Sequence, residues 1–433
     1  MELYKNKEAF MDAIVETSRS YKINEALIEK DYFVMLILSE LNKAIPGLLF
    51  KGGTCCSHAY KAIDRFSEDI DLSLNNEHFG RSHNTKANKT VIEVCDRLGF
   101  KILNRDEVIK HSHGSFNRYY IEYPISFSSS SVKPFVQVEM AFYQKAYPEE
   151  VRPVNSIIGD WLIENGNEDA AKEFNLLPFS ISVQKLERTF VDKVFAICDY
   201  FERKESERNS RHIYDLFKIT SIIDLNDSNL KELIKSVRKD RTRNDRCISA
   251  KEGYDINETL KKIIESSYFK SDYENVTKLL LTKNVEYEDA INVLNRIIDS
   301  KLFLNTKLLD LYKGFEGEPG YFFAAEDNES NCYYYIRTCL CYVDDIIDKP
   351  HQVDNNLVGL TKLYCDIDFG SFSHGLDNFY KVEDKKEFLD DLLWYKNNRN
   401  LEGEASTLLN ALIELSQYAI KNNLNILVAA DED

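Results

Sequence analysis

Apolar side chains across residues 1–44 return at helical spacing between charges, most clearly in "EALIEKDYFVMLILSELNKA", and predict helix. A short apolar run, "GLLFKGG", then reads as a strand stopped by a glycine pair. "TCCSHAYKAI" fits a short helix, and "SEDIDLSL" alternates polar and apolar residues as a half-buried strand does. "TKANKTVIEVCDRLGFKIL" reads as helix into strand, while "RYYIEYPISF" and "PFVQVEMAFYQ" are strand-like, rich in aromatic and β-branched residues. From about residue 181 the period turns helical, through "VQKLERTFVDKVFAICDYFERK" and "RHIYDLFKITSII", and stays so to about residue 302. A mixed α/β part is therefore expected ahead of a helical part, with no internal repeat.

The segment "KGFEGEPG", 313–320, holds three glycines and a proline and is the best linker candidate. Beyond it lie a strand-prone "CYYYIRTCLCYV" and helix-like stretches such as "EASTLLNALIELSQYAIKNN". Charge sharpens this division. Of a net charge of −17, residues 301–433 carry most, with 12 Lys/Arg against 24 Asp/Glu. An acidic module repels nucleic acid, so any RNA contact is expected in the first 300 residues, and the module itself is a candidate for docking a basic partner. The boundaries expected are 1–180 for an α/β domain, 181–313 for a helical domain and 314–433 for an acidic module of mostly helical fold. Nine cysteines without a CxxC pair fit buried thiols in a reducing cytoplasm better than a disulfide framework. No apolar run approaches the roughly 20 residues that span a bilayer, and the charged start "MELYKNKEAF" lacks a signal peptide's apolar stretch.

The tripeptide Asp-Ile-Asp occurs twice, at 69–71 and at 366–368. In a strand Asp69 and Asp71 share a face, about 7 Å apart at their backbones, and can converge on a hard cation such as Mg²⁺. Two solvated acids on a strand look the same, so context decides. The first copy follows Gly52-Gly53-Thr54 between a strand and a helix, where backbone N–H groups can approach a phosphate and Thr54 adds a hydroxyl. Glu139, between Val138 and Met140 in an apolar strand, offers a third carboxylate. Buried there it is costly unless paired or metal-bound; on an edge strand it would simply face water. A phosphate cradle with three carboxylates is suited to two divalent cations and a nucleoside triphosphate. Asp366 and Asp368 lack the glycine pair and read as a chance repeat.

These residues carry a resemblance. "FKGGTCCSHAYKAIDRFSEDIDLSL" resembles the signature of the AbiEii/AbiGii nucleotidyltransferase toxins, within the DNA polymerase β-like superfamily. The likeness continues through "IEKDYFV", "VQVEM", "LERTFVDKVFAI" and "RHIYDLFKI", over roughly residues 1–302. It implies an α/β nucleotidyltransferase fold with a mixed sheet, completed by the helical domain. It further implies that Gly52, Gly53 and Thr54 hold triphosphate, that Asp69, Asp71 and Glu139 hold Mg²⁺, and that Lys193 belongs to the site. Without the resemblance, a lysine in "TFVDKVFAI" either snorkels outward or meets an anion. Asp215 matches a later acidic residue, as general base or structural support; alternatively it pairs with Arg211 one helical turn away. Arg211 can equally reach the site, and Arg65 and Ser67 belong to the signature as candidate phosphate contacts. His212 stands where many relatives carry an acid.

The implied activity is that of a toxin of a type IV toxin–antitoxin or abortive-infection system acting in phage defence. It would transfer a nucleoside monophosphate from a triphosphate to an acceptor hydroxyl, foremost the 3′ end of tRNA, with a cognate antitoxin acting without stable contact. Transfer to a protein hydroxyl, and a sensor that grips nucleotide without turnover, are the competing readings. The stretch 231–251, with eight Lys/Arg against three Asp/Glu, is the candidate RNA contact or else a solvated helix face.

Overall fold

The chain lays down α1 (Lys7–Tyr21), α2 (Glu25–Ala44), β1 (Leu48–Lys51), α3 (Gly52–His58), β2 (Asp69–Leu74), α4 (Arg81–Leu98) and β3 (Lys101–Ile102). There follow α5 (Arg105–Lys110), β4 (Phe116–Glu122), β5 (Phe135–Ala141), β6 (Glu149–Val154), α6 (Ile157–Glu164), α7 (Glu168–Glu173) and β7 (Phe179–Gln184). The computed structural model describes residues 2–67, 69–78, 80–111, 114–129, 132–142, 146–251, 253–304, 307–315, 320–328, 332–366 and 380–431. Two compact units divide it, Met1–Phe303 and Leu304–Asp433.

In the first unit seven strands form one mixed sheet in the order β3-β4-β5-β2-β1-β7-β6. β2 runs antiparallel to β1 and parallel to β5, and β7 joins parallel to β1. One sheet face is apolar. Ile70 and Leu72 of β2 and Val136, Val138 and Met140 of β5 pack there with Phe10 of α1, Phe33 and Leu38 of α2 and Val91 of α4. Alternation sends Asp69, Asp71 and Glu139 to the other face. A second core holds the helical part together: α8 (Leu186–Glu202), α9 (Arg211–Ile219) and α10 (Ser228–Arg241) contribute Phe190, Phe195, Tyr214, Leu216 and Ile234, joined by Cys56 of α3 and Ile63. The expected onset of helix near residue 181 is corrected by β7, because "FSISVQ" buries Ile181 and Val183 in the sheet before α8 starts.

The "IEKDYFV" stretch has a structural explanation. Glu29, Lys30 and Asp31 are all buried in α2. Glu29 accepts from the Ser126 and Phe127 N–H groups at 2.7 and 3.0 Å, and Lys30 donates to the Lys133 carbonyl at 3.1 Å. Asp31 accepts from Ile157 N at 2.7 Å and lies 2.9 Å from His58 Nε2. Three successive charges thus tether three separate segments to one helix.

The second unit, expected to be mostly helical, combines helices with a sheet. β8 (Lys307–Leu311), β9 (Gly320–Glu326), β10 (Cys332–Cys339), β13 (Tyr380–Lys381) and β14 (Asn425–Asp431) pair in the order β13-β14-β9-β10-β8. A two-stranded pair, β11 (Gln352–Val353) with β12 (Asn356–Leu357), stands apart. Helices Lys385–Asn398 and Gly403–Lys421 supply Phe388, Leu392, Leu408 and Leu412 to its core. Part of the expected linker at 313–320 lies outside the described residues, as does Asp368. Asp366 ends a helix, Gly359–Asp366.

Candidate active site

Strand register assembles the acidic part of the site. Asp71 pairs with Glu139 across β2 and β5, and Asp69 with Gln137 two residues earlier. Glu139 in turn faces Arg118 of β4, and Asp71 faces Lys51 of β1. Directly paired residues share a face, so Arg118, Glu139, Asp71 and Lys51 form one row across four strands. β5 is an interior strand, which rules out the edge-strand reading of Glu139. Its Oε1 accepts from Arg118 Nε at 2.8 Å and Gln137 Nε2 at 2.9 Å. Burial, and then the negative charges of Glu139 and Asp69, push the Asp71 carboxyl up to about 7 against the pull of Lys51 and Arg211. Asp69 Oδ1 is buried and accepts no hydrogen bond among the described residues. A buried carboxyl oxygen left without a donor is a suitable cation ligand. No group of three or more His, Cys, Asp or Glu side chains among the described residues closes into a ready-made metal cage.

Basic residues gather beside Asp69. Arg65 Nε and Nη2 clamp the two oxygens of Asp215 at 2.6 and 2.8 Å, and Lys193 Nζ reaches Asp215 Oδ2 at 2.6 Å. Asp215 is fully buried; burial alone would raise its carboxyl, but the charges and hydrogen bonds of Arg65 and Lys193 hold it well below the usual carboxylate range. So acidic a group, with both oxygens occupied, is a poor proton acceptor, and of the two expected roles the geometry favours support over general base. Lys193 does not snorkel; its anion is internal. Nor does Arg211 pair with Asp215: its Nη1 lies 3.9 Å from Asp69 Oδ2. His212 stacks on Tyr200, and burial together with Lys193 and Arg211 holds it neutral, well below the usual imidazole range. The loop bearing Arg65 is tied to the helical part, with Phe66 N donating to Leu280 O and Thr282 N to Asp64 O, both at 2.9 Å.

The glycines have reasons of their own. Gly52 turns the chain at φ +75°, and a Cβ there would come within 1.9 Å of Asp71 Oδ2. A Cβ on Gly53 would meet Arg65 Nη2 at 2.6 Å and Ser67 Oγ at 2.9 Å. The pair lets the β1–α3 turn lie directly on the carboxylate and on the basic cluster. Thr54 is fully buried, and its hydroxyl donates to the Asp69 carbonyl at 2.5 Å beside Ser67 Oγ at 2.9 Å. It thereby braces β2.

Sequence reasoning missed four contributors. Arg118 and Gln137 become visible only once β4, β5 and β2 are paired. Lys51 precedes the glycine pair and in the sequence reads only as the end of a strand. Asp192, one position before Lys193, accepts from Arg188 Nε at 3.0 Å and Gln184 Nε2 at 3.3 Å. In the basic stretch 231–251, Arg241 is buried and bonds Asp199 at 2.8 Å, so it belongs to the core, whereas Lys235, Lys239, Arg243 and Arg246 are exposed.

No helix among the described residues is long and apolar enough to cross a membrane. Comparison with curated proteins returns no match. A family model described as "Nucleotidyl transferase AbiEii toxin, Type IV TA system" matches residues 37–296. That span is more than half of the chain and contains the carboxylate row, the glycine turn and the basic cluster; the chain belongs to the AbiEii family of nucleotidyltransferase toxins of type IV toxin–antitoxin systems.

Proposed function

We propose that this chain transfers a nucleoside monophosphate from a nucleoside triphosphate to an acceptor hydroxyl in a Mg²⁺-dependent reaction, with the 3′ end of tRNA as the acceptor. The observation that carries the reading is the buried Asp69 Oδ1, without a hydrogen bond among the described residues, beside an Asp71 that burial and then its acidic neighbours keep hard to ionise. Such an arrangement is unfavourable in isolation and is relieved by a divalent cation. Asp69 and Asp71, with Glu139 alongside, would hold Mg²⁺. Mg²⁺ commonly takes one or two carboxylates and completes its shell with water and substrate phosphates. Bound there, it would neutralise charge on the attacking and leaving oxygens of an in-line displacement.

The chain's own residues hold and orient the triphosphate. Backbone N–H groups of Gly52 and Gly53 would be offered by a turn whose own two residues carry no side chain. Arg65, Lys193 and Arg211 carry three positive charges against the one of Asp215, leaving an excess of two for phosphate oxygens. Asp215 keeps Arg65 and Lys193 in place as they do so. The exposed Lys235, Lys239, Arg243 and Arg246 offer cations for an RNA backbone, a contact that weakens as salt rises.

The test is incubation of the full chain with Mg²⁺, each labelled triphosphate in turn, total tRNA and cell protein. Label at tRNA 3′ ends, lost with EDTA and in Asp71→Asn, is the expected result. Label in protein alone would replace the tRNA reading with protein nucleotidylation. No labelling, with wild type and Asp71→Asn equally toxic in cells, would favour a sensor without turnover.

A further inference from the structure

Lys51, like Asp71 opposite it, makes no hydrogen bond or close ion pair among the described residues, whereas Arg118 and Glu139 of the same row bond each other. Register sets Lys51 opposite Asp71, as the last residue of β1 before the turn at Gly52. Burial draws its ammonium below the usual lysine range, partly offset by Asp71, Asp192 and Glu139, while Arg188 opposes them.

Neither nearby acid hydrogen-bonds Lys51 among the described residues. Asp192 already accepts from Arg188 and Gln184, and Arg241 Nη1 lies 3.5 Å from its other oxygen. Asp71 shares its surroundings with Glu139 and Asp69 and is the group the metal reading requires. Lys51 is half-buried at the end of this row of charged side chains, where a phosphate oxygen can supply the hydrogen bonds that the described residues do not.

We propose that Lys51 is a substrate-contacting cation that grips a phosphate oxygen from the Asp71 side of the carboxylate row, separate from the Arg65–Lys193–Arg211 cluster beside Asp69. The inference rests on the nucleotidyltransferase reading, in which two phosphate sources meet at this row: the triphosphate and the terminal phosphodiester of the acceptor RNA. Both present non-bridging oxygens to which an ammonium can donate.

Wild-type full-length chain, Lys51→Met and Lys51→Arg decide it. Affinity for each of the four α,β-methylene nucleoside triphosphates with Mg²⁺ is measured by calorimetry, affinity for total tRNA by filter binding, and folding by thermal melting. Lys51→Met is expected to weaken one of the two affinities by about tenfold or more, the loss of one charge-assisted hydrogen bond, at an unchanged melting temperature. Lys51→Arg is expected to recover most of it. A loss in analogue affinity assigns the contact to the triphosphate; a loss confined to tRNA assigns it to the acceptor. If Lys51→Met lowers the melting temperature, Lys51→Gln replaces it in the same measurements. Unchanged affinities for both ligands, or a fall in turnover alone, overturn the inference and leave Lys51 as a residue that only positions Asp71. Failure of the wild type to bind any analogue would instead overturn the nucleotidyltransferase reading, and this contact with it.

Discussion

Asp71 illustrates how a residue can be placed against the stability of its own fold. Its carboxyl titrates near 4 in an unfolded chain and at about 7 in the folded one. Between those values folding takes up a proton, so stability falls as pH rises from about 4 to about 7, and the cost is fully present above that. Asp71→Asn is therefore expected to exceed wild type by roughly 1–4 kcal/mol at pH 8 without divalent ions, with the gain vanishing at pH 4. Urea denaturation at the two pH values checks this; an Asn variant less stable than wild type at pH 8 contradicts it. Asp215 behaves oppositely. It is the shared counter-ion of two buried cations, so Asp215→Asn is expected to cost roughly 3–5 kcal/mol, read from the same urea curves. These residues were legible in the sequence as candidates, but not their opposite roles. Both are acids near glycines or lysines in an alternating or helical pattern, and only the identity of the neighbours separates an acid kept hard to ionise from a satisfied anchor.

At the scale of elements, the β1–Gly52–α3 turn and helix α2 carry most of the arrangement. Gly52→Ala combines a left-handed backbone with a collision against Asp71, and is expected to cost roughly 1–3 kcal/mol in stability and to abolish labelling. A labelling-competent Gly52→Ala would show that the turn can relax away from the carboxylate. In α2, Asp31 serves His58 and the Ile157 N–H together. Burial alone would lower the His58 imidazole, yet the charge and hydrogen bond of Asp31 raise it above the usual value. A raised histidine stabilises the fold below its unfolded pKa, and that share is lost as pH climbs through the folded value. Asp31→Asn should therefore lose more stability at pH 5.5 than at pH 8.5; an equal loss at both would remove the charged pair as its cause. The helix α2 and the strand β2 were readable from periodicity. β7 was not, because a short buried strand leading straight into an amphipathic helix shares its apolar residues with the helical pattern.

For the whole molecule, each unit has its own hydrophobic core, one around the seven-stranded sheet with its helical companion and one around the five-stranded sheet. Separate cores predict separable unfolding. A chain cut between residues 303 and 304 is expected to leave a folded first unit that binds triphosphate, with circular dichroism and melting as the readout. An unfolded 1–303 fragment would show that the units depend on each other. The acidic composition after residue 300 marked a distinct module but gave no fold, since net charge constrains solubility and partners rather than topology. The strand-prone "CYYYIRTC" run, now β10, was the one local sign of the sheet on which that module is built.

The sequence by itself determined what covalent geometry dictates over a few residues. Alternation in "SEDIDLSL" put Asp69 and Asp71 on one face, and a glycine pair ended β1 where the chain must turn. Tertiary structure decided which of the many acids keep company. Burying Ile70 against Val138 on the helix-covered face fixes the β2–β5 register, and that register delivers Glu139 to Asp71 from 68 residues away. Likewise Asp215 meets Arg65 across 150 residues because α8 and α9 pack their apolar faces into a common core. Local pattern follows from the chain's own period, whereas the partners follow from which apolar faces can be buried together.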